Sequence, residues 1–269
     1  MNCVDSVVFG QYLPGNSFMH RLDPRLKIAG LIALLILVFF DAGFLGYAII
    51  GLYVIACLIS SKMPAKRVVK AMKPMLFMIA FLAIFNLLLL KTGHVIFKFG
   101  FLKIYSGAVS QTFYIIVRLV LIISLTTILT ATTKPLDLTL GLEHLMKPLK
   151  KVGFPTHEVA MMISIALRFI PTLLEETQRI MKAQASRGVD FNEGSFKEKI
   201  AAIISLIIPL FISAFQRAED LANAMESRNY IPGAPRTRYH ELKWRSADTF
   251  ALISVMALCA CIITMSILR

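Results

Sequence analysis

Five apolar runs, near residues 28–40, 44–60, 75–90, 108–131 and 250–268, decide what this chain can fold into. A helix needs roughly 20 apolar residues to cross a bilayer, and the run at 108–131 supplies them. Lipid offers no water to satisfy backbone N–H and C=O groups, so such runs cross as helices. The first two runs are shorter and are separated only by Asp41-Ala42-Gly43, which reads as a tight helical hairpin. Composition agrees: the chain is 57% apolar with mean hydropathy +0.71, against roughly 45–50% apolar in soluble domains. The expected fold is an all-α polytopic membrane protein, with about five transmembrane helices plus three helices on the cytoplasmic face, the last two long and crossing.

Basic residues set the orientation of such a bundle. Arg21, Arg25 and Lys27 precede the first run, and Lys62, Lys66, Arg67, Lys70 and Lys73 are expected to fill the loop between the second and third. The link after the first run has no basic residue, and 91–107 carries only Lys91, Lys98 and Lys103, so both are expected outside. Val95, Phe97 and Phe99 alternate around Gly100, which predicts a small extracellular hairpin. The N-terminus is then cytoplasmic, the C-terminus outside, and 132–246 cytoplasmic or along the inner leaflet. The expected domains are a transmembrane bundle over 1–131, a cytoplasmic helical region over 132–246 and a last transmembrane helix over 247–269. The net charge of +13 has to face water, anionic headgroups or an acidic partner. The first 25 residues lack an apolar stretch behind a basic start, so no cleaved signal peptide is expected.

The region 132–246 reads as three helices. The first, about 136–150, sets Leu138, Leu142, Leu145, Met146 and Leu149 on one face. Lys150-Lys151-Val152-Gly153-Phe154-Pro155 supplies its stop signals. The second, about 157–187, and the third, about 196–228, are each long enough to reach roughly 45–50 Å. Both change character midway. Val159–Ile170 is apolar except for Arg168, and Leu173–Arg187 is amphipathic; Ala201–Phe215 is apolar, and Gln216–Arg228 is polar with an Ala218, Leu221, Met225 stripe. Pro171 and Pro209 stand near the change, where a kink is expected. Each is followed seven residues later by Gln-Arg (Gln178-Arg179 and Gln216-Arg217), either a worn repeat or a coincidence. The charged second halves predict long, crossing rods on the cytoplasmic membrane face rather than spans.

Both rods end on an arginine: Ala185-Ser186-Arg187-Gly188 and Ala224-Met225-Glu226-Ser227-Arg228-Asn229-Tyr230. Gly188 suits the left-handed position that closes a helix, and Asn229 is the next best residue there. A single such arginine is explained by the negative end of the helix dipole, worth about 0.3–1 kcal/mol. Two matching tips point instead to a protein that grips another. Truncating an arginine desolvated against a partner carboxylate or helix end typically costs about 2–5 kcal/mol of binding. Arg118, in the middle of the fourth run, is either functional or a structural pair for Asn86 or backbone carbonyls.

Other chemistries find little support. No intramembrane acidic residue stands out as a relay, and a self-sufficient secondary transporter needs midplane ion-binding residues and broken helices. Glu175-Glu176-Thr177-Gln178-Arg179 is one residue short of the E-E-x-x-x-R of intramembrane proteases. His20, His94, His144, His157 and His240 lie outside the expected spans, and His157-Glu158 is not H-E-x-x-H, so a membrane-embedded metalloenzyme is disfavoured. Cys3, Cys57, Cys259 and Cys261 read as packing residues, with no metal or disulfide framework. No G-x-x-x-x-G-K-[S/T] loop occurs. No cofactor is therefore expected here, and any ATP and Mg would be bound by partner subunits. The lysines follow membrane loops, which argues against nucleic acid.

Nearly the whole chain resembles a known family. The likeness runs through Tyr12-Leu13-Pro14-Gly15-Asn16-Ser17, His20-Arg21-Leu22-Asp23-Pro24-Arg25-Leu26-Lys27, Thr132-Thr133-Lys134-Pro135-Leu136, Gly141-Leu142-Glu143, Ala166-Leu167-Arg168-Phe169-Ile170-Pro171 and both arginine tips. These residues resemble the transmembrane T component of energy-coupling factor vitamin transporters, related to the membrane subunits of cobalt and biotin transporters. The family's paired motif is A-R-G; here it reads Ser186-Arg187-Gly188 and Ser227-Arg228-Asn229. The resemblance implies a non-catalytic multi-pass subunit of the plasma membrane, with a cytoplasmic N-terminus and coupling region. It implies two ABC-type ATPase subunits, one docked at Ala185, Ser186, Arg187 and Gly188 and the other at Glu226, Ser227, Arg228 and Asn229. It also implies a separate membrane-embedded substrate-binding S component, coupled through helix faces that include Leu138, Leu142, Arg168, Pro171 and Pro209. The competing classes are the secondary transporter and the membrane enzyme weighed above.

Overall fold

A computed structural model describes residues 12–40, 43–90, 94–99, 102–153, 155–191, 195–232 and 242–268. Cys3, the Asp41-Ala42 turn, Lys91, Gly100, Phe154 and His240 lie outside the described residues. The chain divides into two compact units, one of Leu142–Glu241 and one of Gln11–Gly141 with Leu242–Arg269.

The second unit begins with a single turn, α1 (Phe18–Arg21), followed by α2 (Pro24–Val38), α3 (Gly43–Ser61) and α4 (Ala65–Leu89). A small hairpin follows, of strands β1 (Val95–Phe99) and β2 (Leu102–Tyr105). They pair antiparallel with Val95 opposite Tyr105 and Phe99 opposite Leu102, the strand pair that the alternation around Gly100 predicts. Next come α5 (Ser106–Thr132) and α6 (Pro135–Met146). The 31-residue helices α7 (Thr156–Ser186) and α8 (Phe196–Glu226) form the body of the other unit. The last helix, α9 (Ser246–Ile267), belongs to the same unit as α1–α5 and packs on α2. By length and composition α3, α4, α5, α7, α8 and α9 are able to cross a membrane, so this is a polytopic, essentially all-helical membrane protein.

Three boundaries differ from the sequence reading. The first expected span, 28–40, is the 15-residue helix α2, about 22 Å long against a hydrocarbon core of about 30 Å. The expected loop of lysines is helix: α4 starts at Ala65, so Lys66, Arg67, Lys70 and Lys73 sit on its first turns. Lysine and arginine are good helix formers, and charge alone does not end a helix. The helix expected over 136–150 stops at Met146 and continues as a 3₁₀ turn over Lys147–Val152. Pro148 is the cause, because it disfavours α geometry in the residue before it and lacks an N–H to donate.

The core of the bundle comes from four helices. Leu34, Leu37 and Val38 of α2, Tyr47, Ile50 and Val54 of α3, Leu121, Leu125 and Ile128 of α5, and Leu258 and Ile262 of α9 pack together. The spacings of three, four and seven residues keep each set on one helical face. In lipid the driving force is close packing rather than the exclusion of water. The hydroxyl-rich α5 remains compatible with that setting because most of its hydroxyls close on their own helix. Ser124, Thr127 and Thr132 donate to the carbonyls of Val120, Ile123 and Ile128 at 2.6–2.7 Å, whereas the buried Thr112 hydroxyl has no partner among the described residues.

Arg118 is part of this core framework, and its partner is Tyr47 rather than Asn86. Its guanidinium donates to the Tyr47 hydroxyl at 2.6 and 3.1 Å, and that hydroxyl donates to the Val38 carbonyl at 3.2 Å. The cation also lies 5.2 Å from the centre of the Phe39 ring. One buried hydroxyl thus joins α5, α3 and the end of α2, the kind of pairing that makes an intramembrane charge tolerable.

A second polar link fixes how the bundle's helices start. Asp248 is 1% exposed. Its two oxygens accept the backbone N–H of Asp23 and of Arg245, each at 2.8 Å, so one carboxylate caps the first turns of both α2 and α9. Lys27 donates to the Thr132 carbonyl and Thr133 hydroxyl at 3.2 Å. The end of α5 therefore lies on the same face of the unit as the starts of α2 and α9.

Candidate functional site: the two arginine tips

The site is built on α7 and α8. The start of α8 is fixed by reciprocal caps: the Ser195 N–H donates to Glu198 Oε2 at 2.7 Å, and the Glu198 N–H to Ser195 Oγ at 3.5 Å. The two helices pack antiparallel. Gln184 Nε2 donates to the Ser205 carbonyl at 3.3 Å, so the end of α7 meets the first turns of α8. Further along, Glu176 accepts from the Ser213 hydroxyl at 2.6 Å and from the Arg217 guanidinium at 2.9 Å. The same guanidinium stands 5.8 Å from the centre of the Phe169 ring. Charge-assisted bonds of this kind are stronger and more directional than neutral ones, so this clasp sets the register of the pair.

That register separates the tips. From Ser213 opposite Glu176, Arg187 lies further along α7 and Arg228 further along α8 in the opposing direction, about 26 residues in all, which separates them by up to about 39 Å. The arginines lie at opposite ends of the helical pair.

The two ends are built alike. At the first, the N–H groups of Arg187, Gly188 and Val189 donate to the carbonyls of Gln184, Ala185 and Gln184 at 3.0, 3.0 and 3.1 Å. At the second, those of Arg228, Asn229 and Tyr230 donate to Met225, Glu226 and Met225 at 3.1, 2.9 and 3.0 Å. Gly188 has φ +86 and Asn229 φ +58, so each chain turns through the left-handed region at the same step. This is the Schellman closure, with an arginine as the last residue before the turn in both copies. Asparagine thus does the conformational work of the missing glycine. The neighbouring serines both bond back into their own helix, at different offsets: Ser186 Oγ donates to the Lys182 carbonyl at 3.0 Å and Ser227 Oγ to that of Ala224 at 3.1 Å. Ala185 to Gly188 and Glu226 to Asn229 are all exposed. Among the described residues neither Arg187 nor Arg228 makes an ion pair. Two guanidiniums on rigid mounts therefore face outward with their donors open to a carboxylate or a helix C-terminus.

The other expected positions are more scattered. Arg168 is exposed, Leu142 is 41% exposed and Leu138 is half-buried. Pro171 and Pro209 sit inside α7 and α8, which run unbroken through them. The proline and Gln-Arg repeat is not matched in its contacts, since Arg217 joins the clasp while Arg179 is exposed. An apolar surface on α8, including Ile203, Ile207, Ile208, Phe211 and Phe215, is 51–61% exposed. Sequence reasoning noticed Glu176 only as part of a failed protease motif, and it missed Asp248 and Tyr47 as partners. The signal for the clasp was a glutamate on the apolar side of an amphipathic helix, placed to meet the one arginine opposite.

Comparison with known proteins decides the family. Residues 15–239 match the CbiQ model, described as cobalt transport protein. The chain belongs to this family. It is 45% identical to the energy-coupling factor transporter transmembrane protein EcfT of Bacillus subtilis, over 96% of this chain and 97% of that one. It is 44% identical to the EcfT protein of Lactococcus lactis, over 94% and 95%. The EcfT protein of Exiguobacterium sibiricum is 46% identical over 94% and 96%. The stretch matched by the CbiQ model takes in α7, α8 and both arginine tips, so the helical pair belongs to the body that defines the family.

Proposed function

We propose that this chain is the transmembrane coupling subunit of an energy-coupling factor importer for a vitamin or other micronutrient. Two ATP-hydrolysing subunits dock on it, one at each arginine tip, and a separate substrate-binding membrane subunit rests on the exposed apolar surface of α8 and on α6. The chain itself hydrolyses nothing; its partners bind ATP and Mg. The observation that carries this reading is the matched pair of tips: the same closure, the same outward arginine, at the two ends of one clasped helical pair. A dipole-complementing arginine needs no duplicate, whereas a rod that must feel two subunits move needs a handle at each end. When the ATPases close on ATP, the handles are drawn together or tilted. The Glu176–Arg217–Ser213 clasp makes α7 and α8 answer as one lever, which shifts the substrate-binding subunit. The cytoplasmic placement of the N-terminus and of the helical pair is part of the same proposal.

The test is co-purification of the full complex carrying Arg187→Glu, Arg228→Glu or both. Each single change weakens ATPase retention by about 30-fold or more, from the 2 kcal/mol lower bound for losing a desolvated charge contact. The double change abolishes it while the chain still inserts in the membrane. An intact complex from the double variant would sink the docking proposal.

A further inference from the structure

We infer that the outer face of α4 is a binding site for one anionic phospholipid, its phosphate held by Lys66, Lys70 and Lys73 and an acyl chain laid along Phe77, Phe81, Ile84 and Leu88. Those seven residues share one helical face, since their spacings of three and four keep returning to it. All are exposed; Phe77 is 83% and Ile84 59% exposed. The opposite face, with Val68 and Ile79 as its buried apolar residues, is the one packed on α5.

The charge on this face is uncompensated, and it lies at the wrong end of the helix. Cations at a helix N-terminus oppose the dipole. The first turn of α4 has no acidic residue, and its N-cap, Pro64, offers no side chain to the free N–H groups. The long apolar helices α7, α8 and α9 carry a first-turn acid, Glu158, Glu198 and Asp248; α3 and α5 carry none, but they hold no lysine or arginine in their first turns either. Between Asp41 and Asp137 the sequence holds no aspartate or glutamate at all, so the neighbouring chain cannot supply the missing anion. Among the described residues none of the three lysines makes an ion pair.

Dimensions select a lipid over a free phosphate. The lysines span about 10 Å of helix and the apolar strip from Phe77 to Leu88 about 16 Å, close to the ~15 Å of one leaflet, half of a ~30 Å hydrocarbon core. The order along the face, cations first and hydrocarbon after, is that of a phospholipid read from headgroup to tail. Lysine stems are long enough to reach the headgroup level while their methylenes stay on the apolar strip.

The test is native mass spectrometry of the detergent-solubilised full chain, equilibrated with equal amounts of phosphatidylglycerol and phosphatidylcholine. The unaltered chain retains phosphatidylglycerol preferentially. At roughly 1 kcal/mol per lysine near a surface, each lysine contributes about fivefold. K66Q/K70Q/K73Q then loses up to about 100-fold of the preference, and K66R/K70R/K73R keeps it. Removing as many charges from another exposed region, K150Q/K151Q/K182Q, leaves it unchanged. The unaltered protein gives an independent readout: raising the salt about tenfold, to near 0.5 M, suppresses the preference by screening. A preference that survives the glutamine triple, survives salt, or falls equally in the control triple overturns the site. So does loss of a co-purifying membrane subunit from the glutamine triple with lipid retention intact, which would assign the face to a protein.

Discussion

The equivalence of the two tips rests on Asn229 holding a backbone conformation that most residues resist, and substitution there tests it. With φ +58, this position costs an ordinary L-residue about 1–2 kcal/mol, and a β-branched side chain falls at the upper end. Asn229→Val therefore disfavours the closed tip by about 2 kcal/mol. The bonds at stake are those from the Asn229 and Tyr230 N–H groups to the Glu226 and Met225 carbonyls. Asn229→Gly is close to neutral, because relief at the turn is offset by the greater freedom of glycine in the unfolded chain. Hydrogen exchange at the Tyr230 amide reads the difference directly. Valine accelerates it by up to about 30-fold, and glycine leaves it within about threefold. Gly188→Val on the other tip behaves like Asn229→Val, with exchange read at Val189. Apart from its chain neighbours, no described atom comes within 4 Å of the Cβ position at Gly188, so backbone strain is the main effect there. Unchanged protection in Asn229→Val would refute the reasoning, as would an Asn229→Gly tip as open as the valine one.

Two further outcomes follow from the transmembrane unit. Tyr47→Phe strips Arg118 of its hydroxyl acceptor in lipid and lowers detergent thermal stability by roughly 1.5–3 kcal/mol; in the Arg118→Leu background the same change costs far less, and equal losses in both backgrounds would show that the pair is not coupled. Asp248→Asn leaves only one oxygen to accept the two backbone N–H groups that the carboxylate now takes, and costs about 1–3 kcal/mol in the same melt, while Thr249→Ala beside it costs well under 1 kcal/mol.

The extent to which sequence revealed this molecule follows from the range of the interactions. Helix existence was legible wherever apolar residues ran long, because spanning segments answer to length and hydropathy alone: 108–131 became Ser106–Thr132, and 250–268 became Ser246–Ile267. Boundaries failed where charge was taken as a stop. The lysines after Pro64 continue as helix, since a charged side chain at an interface needs only a path to the headgroups, not an end to the backbone. The tips were legible because a helix closure is local: Gly188 and Asn229 each sit one residue after an arginine at the end of a polar run. The pairings were not. Tyr47 lies 71 residues from Arg118, and Asp248 lies 225 from Asp23. Nothing in a single sequence marks such distant partners.

The antiparallel register links function to topology. The end of α5 and the start of α9 lie on one face of the transmembrane unit, so the chain between them crosses the membrane an even number of times. With α6 only 12 residues long, α7 and α8 must both cross or neither can. Both are long and apolar enough to do so. If both crossed, tips at opposite ends of an antiparallel pair would open on opposite sides of the membrane, and a pair of ATPases confined to one side would reach only one. The proposed docking of two ATPases from one side at both tips therefore requires that neither α7 nor α8 crosses. The second half of α7 favours the same arrangement. Glu175, Glu176, Arg179 and Lys182 at about 2.5–3.5 kcal/mol each in a bilayer centre outweigh what its apolar half, about 18 Å long over Val159–Ile170, gains from lipid. Under the proposed function, a helix with one apolar and one charged half is also one that can tilt at the membrane face, which is the motion the proposed coupling would use.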